Sequence, residues 1–157
     1  ENEFVPNPKF VPTFKKEEEN YKEAAKILKE SGADLLILEM LLDVDHSKIL
    51  LNAALETGLP VWVGLSCCDS KFDNSVIGRN FRAEKEKSLI YDENKYKDQP
   101  KYLPEDKIIL LEDIIKSLTS LGGDVYGIMH TWFQDSIGGL KILKNNWKGP
   151  ILSLIHI

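Results

Sequence analysis

The sequence predicts an α/β fold built on a parallel sheet, and three observations carry that prediction. Short apolar runs of strand length alternate with segments whose apolar residues recur at helical spacing. The strand-length runs are almost continuously apolar, the pattern of parallel strands buried on both faces, rather than alternating as half-exposed antiparallel strands do. Strand starts at 35, 61, 125 and 151 lie 26, 64 and 26 residues apart, so a βα unit of constant length recurs.

Each element follows from local chemistry. Residues 1–14 carry Pro6, Pro8 and Pro12 and read as an extended loop, because proline removes a donor and disfavours helix before it. From Glu17 to Ser31, Tyr21, Ala24, Ala25 and Leu28 share a helical face, and Gly32 closes the run. Ala33 to Leu38 is a strand that stops at Glu39. A second helix opens with Asp45 as its N-cap, runs to Thr57 and ends at Gly58. Pro60 leads into a strand over Val61–Ser66. Ile108 to Leu121 forms a helix before Gly122-Gly123, and Val125–Met129 a third strand. Asp135 caps a helix whose Ile137, Leu140 and Leu143 share a face, and Gly149-Pro150 introduces a fourth strand at Ile151. The long middle interval holds one βα unit plus an insertion from about Cys67 to Pro104, a structureless connection that is either a solvated excursion or a functional segment. Its Arg79, Arg82, Lys85 and Lys87 form a solvated face or bind an anionic cofactor tail.

Parallel strands with right-handed crossovers leave two architectures, the closed barrel and the open doubly wound sheet. Neither a GxGxxG nor a Walker phosphate loop follows any strand, which favours the barrel. A complete (β/α)8 barrel needs about 250 residues, and 157 are present. The expected fold is therefore a partial TIM barrel of about four consecutive βα units over residues 1–151. Open strand edges and an unfilled interior mean that such a piece alone is expected to aggregate or stay molten. The last six residues, 152–157, match the translation of a transposon-type sequencing adaptor. They are expected to be a non-native tail, which removes His156 from site reasoning; otherwise they finish a buried strand.

Composition narrows the function. Hydrophobic residues at 43% and charged residues at 29% are ordinary for a globular chain. With 20 basic against 25 acidic residues, and the basic ones scattered, nucleic acid is not an expected partner. No apolar run approaches the roughly 20 residues of a membrane helix, and the acidic, proline-dotted start is unlike a signal peptide. Cys67 and Cys68 are adjacent and cannot staple distant segments, so a reducing, cytoplasmic setting is expected.

Ligands of parallel α/β folds sit at the carboxyl ends of strands. There the sequence places Glu39 after the first strand, Ser66, Cys67, Cys68 and Asp69 after the second, and His130 and Thr131 after the third. A carboxylate on an apolar strand is costly unless it meets a partner, so Glu39 either holds an ammonium group, acts as a base, or bridges to a neighbouring strand. Cys67 and Cys68 point to opposite faces, so at most one looks into the mouth; ordinary buried thiols are the alternative. His130 is either a metal ligand or acid/base group, or a structural histidine. Trp132 and Phe133 line a pocket or simply pack.

Gly32-Ala33-Asp34-Leu35-Leu36-Ile37-Leu38-Glu39, and Gly58-Leu59-Pro60-Val61-Trp62-Val63-Gly64-Leu65-Ser66, resemble the middle of homocysteine S-methyltransferase domains. There a strand ending in Glu-Thr is followed by a Pro-Val-Trp-Val-Ser strand. Gly127-Ile128-Met129-His130-Thr131 lies where those proteins have Gly-Val-Asn-Cys-Thr, and the resemblance covers about residues 14–151. It implies a (β/α)8 barrel that transfers a methyl group to the sulfur of homocysteine to give methionine. It also implies a zinc ion held by three cysteines, with the donor a methylated sulfonium, betaine or methyl-folate. Glu39 would hold the amino acid substrate, and Ser66, at the mouth of the next strand, would be a second substrate-binding residue. The sequence departs from the pattern at Met40, which replaces threonine, and at Met129-His130, which replace Asn-Cys. His130 thus stands where a zinc cysteine is expected, and an imidazole in place of a thiolate makes such a site one charge more positive. Cys67-Cys68 is not the family's vicinal ligand pair, which falls near the end of the domain. Two alternatives remain: a metal-independent lyase or hydrolase using His130 and Glu39 as an acid/base pair, and a non-catalytic amino acid-binding relative.

Overall fold

A computed structural model of the chain describes residues 12–42, 44–69, 75–78 and 109–154. In chain order the elements are α1 (Phe14–Glu30), β1 (Leu36–Leu41), α2 (Val44–Leu55), β2 (Val61–Leu65), β3 (Cys68–Asp69), β4 (Val76–Gly78), β5 (Ile109–Leu110), α3 (Leu111–Thr119), β6 (Val125–Met129), α4 (Phe133–Asn146) and β7 (Ile151–Leu154). None of the described helices is long and apolar enough to cross a membrane.

Helix ends follow the caps that the chain offers. α1 starts three residues before Glu17, because Thr13 is extended and its Oγ1 accepts the Lys16 N–H at 3.3 Å. Gly32 (φ +91°) and Gly58 (φ +72°) then turn the chain out of α1 and α2 through the left-handed region, as the sequence leads one to expect. The acidic caps fall differently. α2 opens at Val44 and α4 at Phe133, so Asp45 and Asp135 lie inside the first turn, where they complement the helix dipole instead of capping. Trp132 occupies the cap position of α4 without a side-chain hydrogen bond; the chain is already anchored at Thr131, whose hydroxyl bonds to Met129 O and the Cys67 N–H at 3.1 Å each.

The main sheet has the order β1-β2-β6-β7, and every neighbouring pair is parallel. α1 packs on α2, α2 on α3 and α3 on α4. A doubly wound sheet reverses its strand order at a switch point; this one advances in chain order, and right-handed crossovers then set successive helices on one side. The winding is compatible with a partial barrel. β7 continues the sheet as far as Leu154 opposite Met129, three residues into the segment expected to be a tail.

Part of the expected structureless insertion is ordered. β3, β4 and β5 form a small antiparallel sheet packed on α3 and α4, and β5 takes Ile109 and Leu110 from the expected start of the third helix. Segment 79–108 lies outside the described residues, and with it the cluster of Arg79, Arg82, Lys85 and Lys87.

Strand alternation sorts the side chains. Leu36, Leu38, Val61, Val63, Leu65, Tyr126 and Ile128 face the helices and join Leu51, Ile114, Ile115 and Leu143 in one apolar core. Burial on both faces, expected from the apolar strands, fails at both sheet edges: Ile37 of β1 is 45% exposed, and β7 is not a buried strand, with Ile151 and Leu154 41% and 49% exposed. The face opposite the helices carries Glu39, Trp62, Gly64, Ser66, Gly127 and Met129 by alternation. A Cβ at Gly64 would lie 2.0 Å from the Met129 sulfur, so the methionine side chain occupies the hollow that the glycine leaves. Adding a methyl there in the full-length protein, Gly64→Ala, should cost about 1–3 kcal/mol through overpacking. Met129→Ala should relieve the clash, so the double variant is destabilised by less than the sum of the single ones in denaturant unfolding. Strictly additive costs would show that the two positions do not touch.

Candidate functional site

The carboxyl ends of β1, β2 and β6 form one rim, and its backbone is unusual in two places. Leu38 pairs with Val63 and Leu41 with Leu65, so β1 carries one extra residue against β2, a bulge at Glu39-Met40. Met40 there has φ +60°, and His130, immediately after β6, has φ +51°; among the described residues these are the two left-handed positions other than glycine. Bulges re-aim side chains, and here the carboxylate and the imidazole meet: Glu39 Oε2 stands 3.5 Å from His130 Nε2. Their side chains are 56% and 29% exposed. An exposed pair at that distance is worth about 0–1 kcal/mol, whereas each left-handed non-glycine residue costs about 1–3 kcal/mol. The contact alone does not account for the strain, which makes the rim the candidate site.

β2 lies between these two ends and fastens both. The Ser66 N–H donates to Leu41 O at 3.0 Å, and its Oγ donates to His130 O at 3.2 Å. Ser66 and Thr131 are buried. The Cys67 thiol is also buried: its Sγ lies 4.0 Å from Asp135 O, and a Cβ at Gly139 would come within 2.6 Å of that sulfur, so it faces α4. Cys68 is half-buried in the side sheet. Neither cysteine joins Glu39 and His130. Trp132 and Phe133 follow at the start of α4, 64% and 56% exposed, so neither packs into the core.

A second polar group was not expected from the sequence. Glu17, buried in the first turn of α1, contacts His46 Nδ1 through both carboxylate oxygens, at 2.6 and 2.7 Å, and accepts the Tyr21 hydroxyl at 2.9 Å. His46 and Tyr21, with Glu39, Met40, Leu42 and Leu50, line a cleft of about 180 Å³ between α1, α2 and the end of β1. The i, i+4 spacing of Glu17 and Tyr21 was the available signal; the approach of His46 from α2 needs the tertiary fold.

No group of three His, Cys, Asp or Glu converges among the described residues. His130 and Glu39 supply two donors at most, and a structural or catalytic zinc needs three or four. The described residues therefore do not fit a zinc site by themselves.

The fold and the rim define a class: α/β chains that carry their reactive side chains at the carboxyl ends of parallel strands. The family model for homocysteine S-methyltransferase matches residues 3–88, just over half of the chain. The chain belongs to the homocysteine S-methyltransferase family. The match takes in Glu39 and Ser66, while His130 lies beyond it. No curated protein matches the chain.

Replacing Glu17 by alanine removes the acceptor of both Tyr21 and His46. Full-length Glu17→Ala should lose about 1–3 kcal/mol of stability, the cost of leaving a buried polar group without its partner. A denaturation midpoint equal to that of the wild type would show that the cluster contributes nothing.

Proposed function

We propose that this chain is the partial barrel of an S-methyltransferase that moves a methyl group to the sulfur of homocysteine and releases methionine. Family membership supports the reaction type, and the observation that carries the reading is Glu39, a carboxylate turned onto the strand-end rim by a bulge. Glu39 holds the substrate ammonium, and Ser66 stands in the same site at the mouth of the next strand. The substrate thiol gives up its proton, and His130, beside Glu39, is placed to receive it. The thiolate sulfur then bonds to the donor's methyl carbon, and that carbon's bond to its former sulfur or nitrogen breaks with the electron pair leaving on the donor. Partners are small molecules in a cytoplasmic setting, with no role for nucleic acid or membrane. Were a metal bound, His130, which the resemblance puts at the position of a family zinc cysteine, would be one of its ligands instead of the proton acceptor; the described residues alone do not complete a zinc site, and no step above depends on one.

The test is methionine formation from homocysteine by the full-length protein with sulfonium, betaine and methyl-folate donors in turn. Glu39→Gln should lower kcat/KM by about 10- to 100-fold, the worth of a hydrogen bond to a charged group. Folded protein that makes no methionine with any donor overturns the proposal.

The 3.5 Å contact between Glu39 and His130 favours one second reading, a metal-independent lyase or hydrolase in which the two act as an acid/base pair. Zinc analysis separates the two. Stoichiometric zinc that is lost in His130→Ala supports the transferase, and turnover indifferent to chelator supports the alternative.

A further inference from the structure

We infer that Ser66 is a positioning residue that sets the spacing of Glu39 and His130 by tethering the backbone on both sides of the rim. The inference rests on the reading that these two side chains form one site. β2 is the central strand of the three, and Ser66 is the first residue beyond its ladder, whose last pair with β6 is Leu65 and Ile128. Its N–H reaches Leu41 O at 3.0 Å, one residue past left-handed Met40. The hydroxyl reaches His130 O at 3.2 Å, at the second left-handed residue.

A hydrogen bond to the His130 carbonyl fixes the peptide plane that leaves His130, and with it the direction in which the ring stands. A left-handed histidine relaxes towards ordinary backbone angles unless something outside the residue holds it. The neighbouring residues add a parallel tether, Cys67 N–H to Thr131 Oγ1 at 3.1 Å. That second bond fixes the chain one residue after His130, while the Ser66 bond is made to the His130 carbonyl itself. Serine suits the place because the site needs a short hydroxyl donor in a position only 7% exposed. Alanine cannot donate there and threonine can. In this role Ser66 works through Glu39 and His130 rather than as a separate contact to substrate.

The experiment is cross-relaxation NMR on labelled full-length protein, between the His130 ring proton on Cε1 and the Glu39 side-chain methylenes. Wild type should show the cross-peak, Ser66→Ala should lose it while its circular dichroism stays native, and Ser66→Thr should restore it. Homocysteine turnover should follow, with kcat/KM down about tenfold in Ser66→Ala and recovered in Ser66→Thr, the scale expected when reacting groups are misplaced by a fraction of an ångström. Should Ser66→Ala fail to fold, Ser66→Cys, nearly isosteric but a weak donor, takes its place with the same expectation. A cross-peak that survives in the alanine or cysteine variant overturns the inference, as does its absence from wild type. The spectrum does not depend on the reaction, so wild type that shows the cross-peak and makes no methionine would sink the proposed activity and leave the tether standing.

Discussion

The parallel pairing of β2 with β6 governs everything at the rim. With Gly64 opposite Gly127 and Leu65 opposite Ile128, the ladder runs out at the point where Ser66 can bond to His130 and Cys67 to Thr131. A slip of one residue would turn Ser66 into the helix-covered core and push Leu65 onto the polar face. The core enforces the register, because Val61, Val63 and Leu65 are fully buried against the helices. Hydrophobic burial on one face of the sheet thus places the polar groups on the other.

The elements legible in the sequence were those where one kind of local signal acted alone. Gly32 and Gly58 ended their helices as their backbone freedom dictates, and three parallel strands appeared where the apolar runs lay, whereas β1, expected over Ala33–Leu38, spans Leu36–Leu41 and carries Glu39 within it. The misplaced boundaries are cases of competition between signals. Asp135 has the chemistry of a cap, but hydrogen bonds at Thr131 bend the chain first, and the cap position falls to Trp132. Thr13 outcompetes the acidic run at Glu17, since a hydroxyl bonded to a backbone amide defines a helix start more sharply than charge does. The small sheet of β3, β4 and β5 was hidden because its strands have two or three residues each, too few to show any period.

The site was legible in part for a related reason. Alternation along a strand tells which residues share a face, and strand ends tell which share a rim, so Glu39 and His130 were expected to be neighbours and they are. Nothing in the pattern announces a bulge. The extra residue at Glu39-Met40 and the left-handed turn at His130 are settled by tertiary contacts, and both change where a side chain points. The buried Glu17 beside His46 follows the same logic: it joins residues 29 apart in sequence from two helices, and in the sequence each reads as an ordinary polar residue.

The departures from the family pattern are physically linked. The resemblance puts serine at the position of Gly64 and asparagine at that of Met129, and here the two side chains share one volume. With the methionine sulfur 2.0 Å from where a Cβ at position 64 would sit, any side chain there would force Met129 to move, whereas glycine leaves the hollow that the thioether fills. Met129 is 1% exposed, so the filling is complete. Gly64 and Met129 thus form an apolar plug where the resemblance implies two hydrogen-bonding side chains. The polar groups of the candidate site are a carboxylate at a bulge, an imidazole on a left-handed residue, and a serine hydrogen-bonded to the backbone on both sides. On the proposed reading Glu39 and His130 orient the substrate, and that gives the left-handed backbone at Met40 and His130 a reason to persist.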